Sequence, residues 1–492
     1  MTTAQHLTPA KSLTPRGIQP SSLTTRNVPP PTPRAELRSL SPKAGTVLPQ
    51  ASDFFDKASA GDPDSQCFLG CCYEHGWGVE ADRQMAEKWY LRAALQDHAE
   101  AQNNLGWYYE SGWGGTKDLK RACSFYMKAA EQGSAVGQVA LARCYWSGWG
   151  VVKDLGQAAL WYRKSAEQGL GHAQFNLGRC YENGWGVPQQ QEQAALWYRK
   201  AAEQGDVYGQ NNLGRCFENG WGVEKNMEMA CHWYRAAAED GLAYGQFNLG
   251  RCYGNGWGVR KDLAKAVHWY DRAAVQGHAD GQSNLGRCYE NGWGVEKDLE
   301  QAAKWYRLSA EQGHAFGQNN FAWCYENGLG VPRNTVEAAK WYRRAAYQGH
   351  AHGQNNLGRC YENGWGVAKD LKQAAKWYKK SALQGNSAGK INASRSMQRE
   401  MSEGSNSKQR SEHKSSGEGH FNLGLCYEHG WGVPKDMGVA VQCYLKAADQ
   451  GNPFGQNRLA AMYEHGKGVP KNDQEAQKWY ALAAAQGICW KQ

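Results

Sequence analysis

Apolar and small residues recur along this chain with the period of a helix, and the helical pattern itself recurs every 36 residues. In the copy 173–183, Gln174, Leu177, Gly178 and Tyr181 fall at i, i+3, i+4 and i+7. That spacing predicts a first helix with one packing face, ending near Asn183. Gly184 then stands where a left-handed residue closes a helix. In the copy after Val295, Ala302, Trp305, Tyr306 and Ala310 mark the stripe of a second helix, which Gly313 ends. Asp298 with Gln301, and Asp370 with Gln373, have the spacing of a capping box at its start. Gly178 inside a helix costs about 1 kcal/mol relative to Ala. Yet a small residue recurs there as Gly106, Gly214, Gly250, Gly286, Gly358 and Gly424, with Ala142 and Ala322 as variants. The repetition predicts a helix contact too close for a side chain. The Trp-Tyr pairs of the second helices, such as Trp197-Tyr198 and Trp341-Tyr342, read as core.

The stretch from Gly286 to Asp298 joins the two helices, and its turn position recurs at Trp77, Trp113, Trp149, Trp185, Trp221, Trp257, Trp293, Leu329, Trp365, Trp431 and Lys467. The first nine hold a strict 36-residue step, whereas Trp365 and Trp431 stand 66 apart, so 30 residues are extra. They fall at 390–419, a segment rich in Ser, Lys, Arg, Glu and Gly and without an aromatic residue. It reads as a disordered insertion extruded from the array; a retained intron is the second explanation. Residues 1–50 hold nine of the 15 prolines and read as a disordered Pro/Ser/Thr-rich basic tail. Its Thr8-Pro9, Thr14-Pro15, Thr32-Pro33 and Ser41-Pro42 steps suit proline-directed phosphorylation. The expected organisation is thus a tail at 1–50, repeats at 51–389, the insertion at 390–419, two last repeats at 420–488 and a short end at 489–492. Asp53–Gly61 resembles a second helix without its first, which suits a cap on the first exposed apolar face.

The run Gly-Arg-Cys-Tyr-Glu-Asn-Gly-Trp-Gly-Val-x-Lys-Asp, followed by Ala-Ala-x-Trp-Tyr and Ala-Glu-Gln-Gly-His, resembles the Sel1-like repeat. The resemblance covers roughly 53–389 and 420–488, eleven times over. It implies an all-α fold, a right-handed α/α superhelical solenoid of about eleven 36-residue helix pairs related to tetratricopeptide arrays. It also implies a scaffold or adaptor role in bringing proteins together. Some bacterial members of that family are secreted with a disulfide in each repeat, and some carry β-lactamase labels. Here one regularly placed cysteine per repeat does not reproduce the disulfide pattern, and no Ser-x-x-Lys grouping with supporting partners suggests β-lactamase chemistry.

Charge narrows the classes. The net +9 divides into +5 on the tail, +2 on 390–419 and only +2 on the repeats. A near-neutral array argues against nucleic acid as the partner. Cys144, Cys180, Cys216, Cys252, Cys288, Cys324 and Cys360 stand 36 apart, hence roughly 9–10 Å apart on successive helix pairs. That is too far for a disulfide. Buried, reduced thiols favour a cytoplasmic or nuclear compartment. A mitochondrial transit peptide is the alternative, because the tail is basic and free of acids before Glu36, although its prolines oppose the amphipathic helix such a signal needs. Short-spaced zinc ligands, an apolar run long enough to span a membrane and a secretory h-region are all absent from the sequence, and no cofactor is expected. The histidines of the Gly-His steps (His278, His314, His350) are scattered one per repeat and form no catalytic grouping, so no enzymatic role is expected. At helix ends, a partly positive ring would suit the dipole.

The first helices carry a second repeated face. Asn176/Arg179/Asn183 lie opposite the expected packing side at i, i+3 and i+7. The triplet recurs as Asn212/Arg215/Asn219, Asn248/Arg251/Asn255, Asn284/Arg287/Asn291 and Asn356/Arg359/Asn363, with Trp323 interrupting the Arg column. On a concave surface this ladder would bind an extended peptide or an acidic partner, since Arg forks onto carboxylates and Asn pairs with peptide backbone. Copied, solvated surface is the other reading. The turn tryptophans Trp149, Trp185, Trp221, Trp257, Trp293 and Trp365 form a secondary ladder that either binds a partner or covers the neighbouring turn. A polysaccharide- or nucleic-acid-binding array using the Trp or Arg ladder is the alternative function. Partner identity and oligomeric state are not encoded in any motif.

Overall fold

The computed structural model describes residues 51–113, 115–386, 388–389, 392–393, 418–430 and 434–486. The tail 1–50, most of 390–419 and the end 487–492 lie outside the described residues, and so do the readings made for them. Twenty-three α-helices and no strand are found among the described residues. They form an all-α solenoid of about eleven helix pairs. The chain divides into two compact units, one of residues 1–209 with 221–223 and the other of 210–220 with 224–492.

One repeat of the second unit shows the plan. Its first helix, Ala279–Asn291, closes on Gly292, whose φ of 70° is left-handed and whose N–H returns to the Cys288 carbonyl. The second helix, Leu299–Glu311, opens on Asp298, whose Oδ1 accepts the N–H groups of Glu300 and Gln301 at 2.9 Å. The cap forecast from Asp298 therefore forms through those two amides. Between the helices, Gly294 also has a positive φ, 70°. A Cβ there would lie 2.2 Å from the carbonyl oxygen of Leu263, the first residue of the preceding second helix, Leu263–Val275. The two glycines around Trp293 thus have different causes. The first ends a helix, and the second admits the backbone of the neighbouring repeat.

Inside the pair, Leu285 and Tyr306 are fully buried. A Cβ on Gly286 would stand 2.8 Å from two carbons of the Tyr306 ring, and one on Gly178 would stand 2.7 Å from Tyr198. This is the close contact expected from the repeated small residue. A glutamine spine runs beside it. Gln282 Nε2 donates to the Ala274 carbonyl of the preceding repeat at 3.1 Å, and Gln312 Nε2 donates to Gln282 Oε1 at 2.7 Å. Gln174 does the same in the first unit, with the Ala166 carbonyl at 3.1 Å and Gln204 at 2.8 Å. A buried amide left unpaired costs about 1–3 kcal/mol, so each glutamine fixes its repeat to the one before.

The helix Ala51–Ser59 takes the place of a preceding second helix: Gln66 Nε2 donates to the Ala58 carbonyl at 2.9 Å, and the Phe54 and Phe68 rings lie 4.3 Å apart. Near the extra residues, Asn386 Oδ1 accepts the Gly389 N–H at 2.7 Å, Asn392 Nδ2 donates to Asn355 Oδ1 at 3.0 Å, and Ala393 is buried. Asn392 and Ala393 therefore pack as residues of a first helix do, and the next described helix is Glu418–His429.

Candidate binding face of the first helices

The ladder expected from sequence is present, but its columns differ in depth. Asn176, Asn212 and Asn248 are buried, at 3%, 8% and 8% exposure, rather than displayed. Asn248 Nδ2 donates to Asn211 Oδ1 of the preceding repeat at 3.0 Å, and Asn356 donates to Asn319 at 3.0 Å. Asn176 turns back onto the His172 carbonyl at 2.9 Å, and Asn284 onto the Asp280 carbonyl at 2.9 Å. The lower asparagines are exposed, but each holds its own helix end. Asn183, Asn219, Asn255, Asn291 and Asn363 donate to the carbonyl four residues back, at 3.0, 2.9, 2.9, 2.8 and 2.9 Å. Most of the amide ladder thus serves the array itself, because an amide beside unpaired backbone carbonyls finds its partner there.

The arginine column has a partner that the sequence reading did not assign. At two junctions of the second unit, the Glu of the Tyr-Glu-Asn step sits under the following repeat's arginine. Glu218 Oε1 accepts Arg251 at 2.8 Å, and Glu326 Oε1 accepts Arg359 at 3.0 Å. The other carboxylate oxygen accepts a tyrosine of the second helix: Tyr234 donates to Glu218 at 2.5 Å and Tyr342 to Glu326 at 2.6 Å. In the first unit Glu110 is held in the same way, by Tyr126 and Arg143, both at 2.7 Å. Arg215 contacts Asn212 Oδ1 at 3.4 Å. The signal was available in the sequence, since Glu recurs as strictly as Arg on a neighbouring helical position, but the pairing crosses repeats 33 residues apart.

Arginine and tryptophan ladders prove to be one construction. Arg143, Arg179, Arg251, Arg287 and Arg359 lie over the rings of Trp149, Trp185, Trp257, Trp293 and Trp365, at 5.4, 5.3, 5.0, 5.4 and 5.3 Å from the centroids. A guanidinium between a carboxylate and an indole face satisfies both its charge and its flat surface. Most turn tryptophans are half-buried as a result, while Trp221 and Trp293 are exposed at 36% and 41%. Trp323, which interrupts the Arg column, is also exposed, at 37%.

The histidines require a correction. His278, His314 and His350 stand at the N-terminal ends of first helices, so the dipole there disfavours a positive ring. His278 Nδ1 instead accepts the Gly281 N–H at 3.1 Å, and His350 Nδ1 accepts that of Gly353 at 3.0 Å. Burial lowers the pKa of both rings to about 4. The 36-spaced cysteines are buried and free, and burial pushes the Cys288 thiol up to about 11. Two contacts between thiols that the spacing argument missed do occur. Cys123 meets Cys144, and Cys231 meets Cys252, each pair on adjacent helices. Among the described residues no group of three His, Cys, Asp or Glu is placed to hold a metal ion. No described helix is long and apolar enough to cross a membrane.

Comparison with known proteins assigns this geometry. The Sel1 repeat family matches residues 63–98, 99–134, 135–170, 171–206, 207–242, 243–278, 279–314, 315–350, 351–386, 417–452 and 453–488. The chain is a Sel1 repeat protein. It is similar to a protective antigen of uropathogenic Escherichia coli with an SLR fold, at 34% identity and a TM-score of 0.61, covering 89% of this chain and 87% of that one. It is also similar to a Sel1 repeat protein of Oxalobacter formigenes, at 32% identity and a TM-score of 0.49, covering 63% of this chain and 90% of that one. A 35-residue segment is 51% identical to the rat protein DAP3-binding cell death enhancer 1 and spans 7% of each chain. Within this Sel1 repeat protein the ladder is interrupted at particular places. Trp146 stands where a Glu is expected, and its ring meets Trp185 edge-on at 4.7 Å in a small hollow with Tyr162, Asn176 and Arg179. Gly254 stands at the same position three repeats later.

Proposed function

We propose that the chain is a non-enzymatic protein–protein interaction scaffold that binds an extended peptide or an acidic partner along its first helices, on the concave side of the array. Sel1 repeat proteins are generally protein–protein interaction scaffolds. The observation that carries the finer reading is the arginine column. It is already a carboxylate-binding construction, used by the chain on its own Glu218 and Glu326. Where Gly254 removes the internal carboxylate, Arg287 is half-buried over the exposed Trp293 ring. Trp293 and Trp323 add exposed aromatic surface on the first-helix side of their repeats, and buried aromatics are what protein interfaces rely on most.

The test is affinity capture with the full chain, followed by hydrogen–deuterium exchange on the purified complex. Protection of first-helix segments such as 279–293 and 315–329 supports the reading. Protection confined to the outer faces of the second helices would overturn the placement. Recovery of no protein above a control bait would overturn the scaffold role.

A further inference from the structure

The repeat 243–278 departs from its neighbours at a position that is Glu in every other repeat except the one with Trp146. Its Tyr-Glu-Asn step is Tyr253-Gly254-Asn255. In the repeats on either side the corresponding residues are Glu218 and Glu290, and both accept a tyrosine hydroxyl, Tyr234 at 2.5 Å and Tyr306 at 2.6 Å. Here the tyrosine is Tyr270, whose hydroxyl lies 3.4 Å from where a Gly254 Cβ would stand. The arginine is Arg287. Among the described residues, its guanidinium makes no ion pair and Tyr270 makes no side-chain hydrogen bond. Arg287 is near enough to act electrostatically on Tyr270. It is half-buried, over the face of the exposed Trp293.

A second link between these repeats is missing in the same place. Asn248 reaches back to Asn211, but for the next residue in that column, Asn284, the corresponding position in the preceding repeat is Phe247, and Asn284 bonds to its own helix instead. Both polar bridges that join other repeats on this face are therefore replaced, and a donor pair, Tyr270 Oη and the Arg287 guanidinium, is left around Gly254.

We infer that Tyr270, Arg287 and the Trp293 ring form a notch over Gly254 that takes the side-chain carboxylate of a glutamate from a partner protein. The template is internal. The intramolecular carboxylates of Glu218 and Glu326 accept a tyrosine on one oxygen and an arginine on the other. An incoming glutamate carboxylate can take up the same two charge-assisted or phenolic bonds, and the indole covers the guanidinium. This deepens the scaffold reading and rests on it for the source of the carboxylate.

The experiment uses the full chain and fluorescein-labelled, acetylated and amidated decapeptides of alternating Gly and Glu, or Gly and Gln, read by anisotropy. The wild type is expected to prefer the Glu peptide by about tenfold, which is about 1.4 kcal/mol. Gly254→Glu supplies the carboxylate internally and should abolish the preference. Gly254→Ala should retain it, because the added Cβ makes only ordinary contacts, 3.4 Å to Tyr270 and 3.7 Å to Ala266. Arg287→Gln should lose it, and circular dichroism establishes that each variant is folded. An unchanged preference in Gly254→Glu, equal loss in Gly254→Ala, or no preference in the wild type overturns the notch. If Gly254→Glu keeps the preference while partner capture persists, the notch fails and the scaffold stands. If the preference behaves as stated but no partner is captured, the scaffold reading fails and the notch stands.

Discussion

His278 ties the stability of one repeat junction to pH. The ring caps the helix Ala279–Asn291 through Nδ1, which must be unprotonated to accept the Gly281 N–H. It lies against Phe247, 4.9 Å away, and Tyr244, 4.6 Å away. Asp280, which favours the charged ring, and His314, which opposes it, are its titratable neighbours, but burial is the largest influence and holds the folded pKa at about 4. The unfolded ring titrates near 6.5. Between these values the unfolded chain binds more protons, so stability must rise with pH across that window and fall as pH drops from about 6.5 towards 4. A gap of about 2.5 pH units at 1.36 kcal/mol each gives on the order of 3 kcal/mol, most of it already lost at pH 4.5. The control is His278→Asn. In the equivalent position Asn452 caps Gly455 at 2.8 Å, so asparagine keeps the cap and removes the titration. Native-state hydrogen exchange of amides 279–291 at pH 7 and pH 4.5, corrected for intrinsic rates, should show a drop in opening free energy about 2–3 kcal/mol larger in the wild type than in the variant. Equal drops would refute the reasoning. His172, also held at about 4 by burial, is a poorer site because Asp206, 3.9 Å away, is raised to about 6 by burial and titrates with the opposite sign.

Other outcomes follow from the same geometry. Gly294→Ala should destabilise its junction by about 2–5 kcal/mol, from a left-handed residue and a Cβ pressed on the Leu263 carbonyl. Gly277→Ala, at a φ of 85° with nothing within 4 Å, should cost only about 1–2 kcal/mol, and comparable losses in thermal melts would contradict the distinction. The thirteen thiols buried among the described residues should resist alkylation in the native protein and react after denaturation; rapid native labelling of Cys144 or Cys288 would show that the core opens more readily than the packing implies. Iodide should quench Trp293 more than Trp365, so Trp293→Phe should remove more of the quenchable fluorescence than Trp365→Phe, and the reverse order would contradict the exposures.

Much of the fold was legible because each helix pair repeats its local signals. Asp298 announces a cap, Gly292 a helix end and Gly286 a close contact, and each reports on neighbours within one repeat. The roles of Arg251 and Asn248 were not legible in the same way. Their partners, Glu218 and Asn211, lie one repeat away, and helical periodicity assigns a residue to a side of its own helix without saying what the adjacent repeat places there. The same limit explains Gly294, whose cause is the Leu263 backbone of another repeat, and the histidines, whose helix end depends on which helix they start. Departures from the repeat carry the remaining information. Gly254, Trp146 and Trp323 mean little singly and become informative only when the contacts of their regular counterparts are known.

The claim that the polar columns join one repeat to the next is tested most directly by a double-mutant cycle on Glu218 and Arg251, whose side chains are 16% and 13% exposed. Glu218→Ala, Arg251→Ala and the double variant are compared by urea denaturation and by exchange of amides 207–278. The structure predicts a coupling of about 1–3 kcal/mol, localised to that junction. A coupling below about 0.3 kcal/mol, with each variant folded, would contradict it.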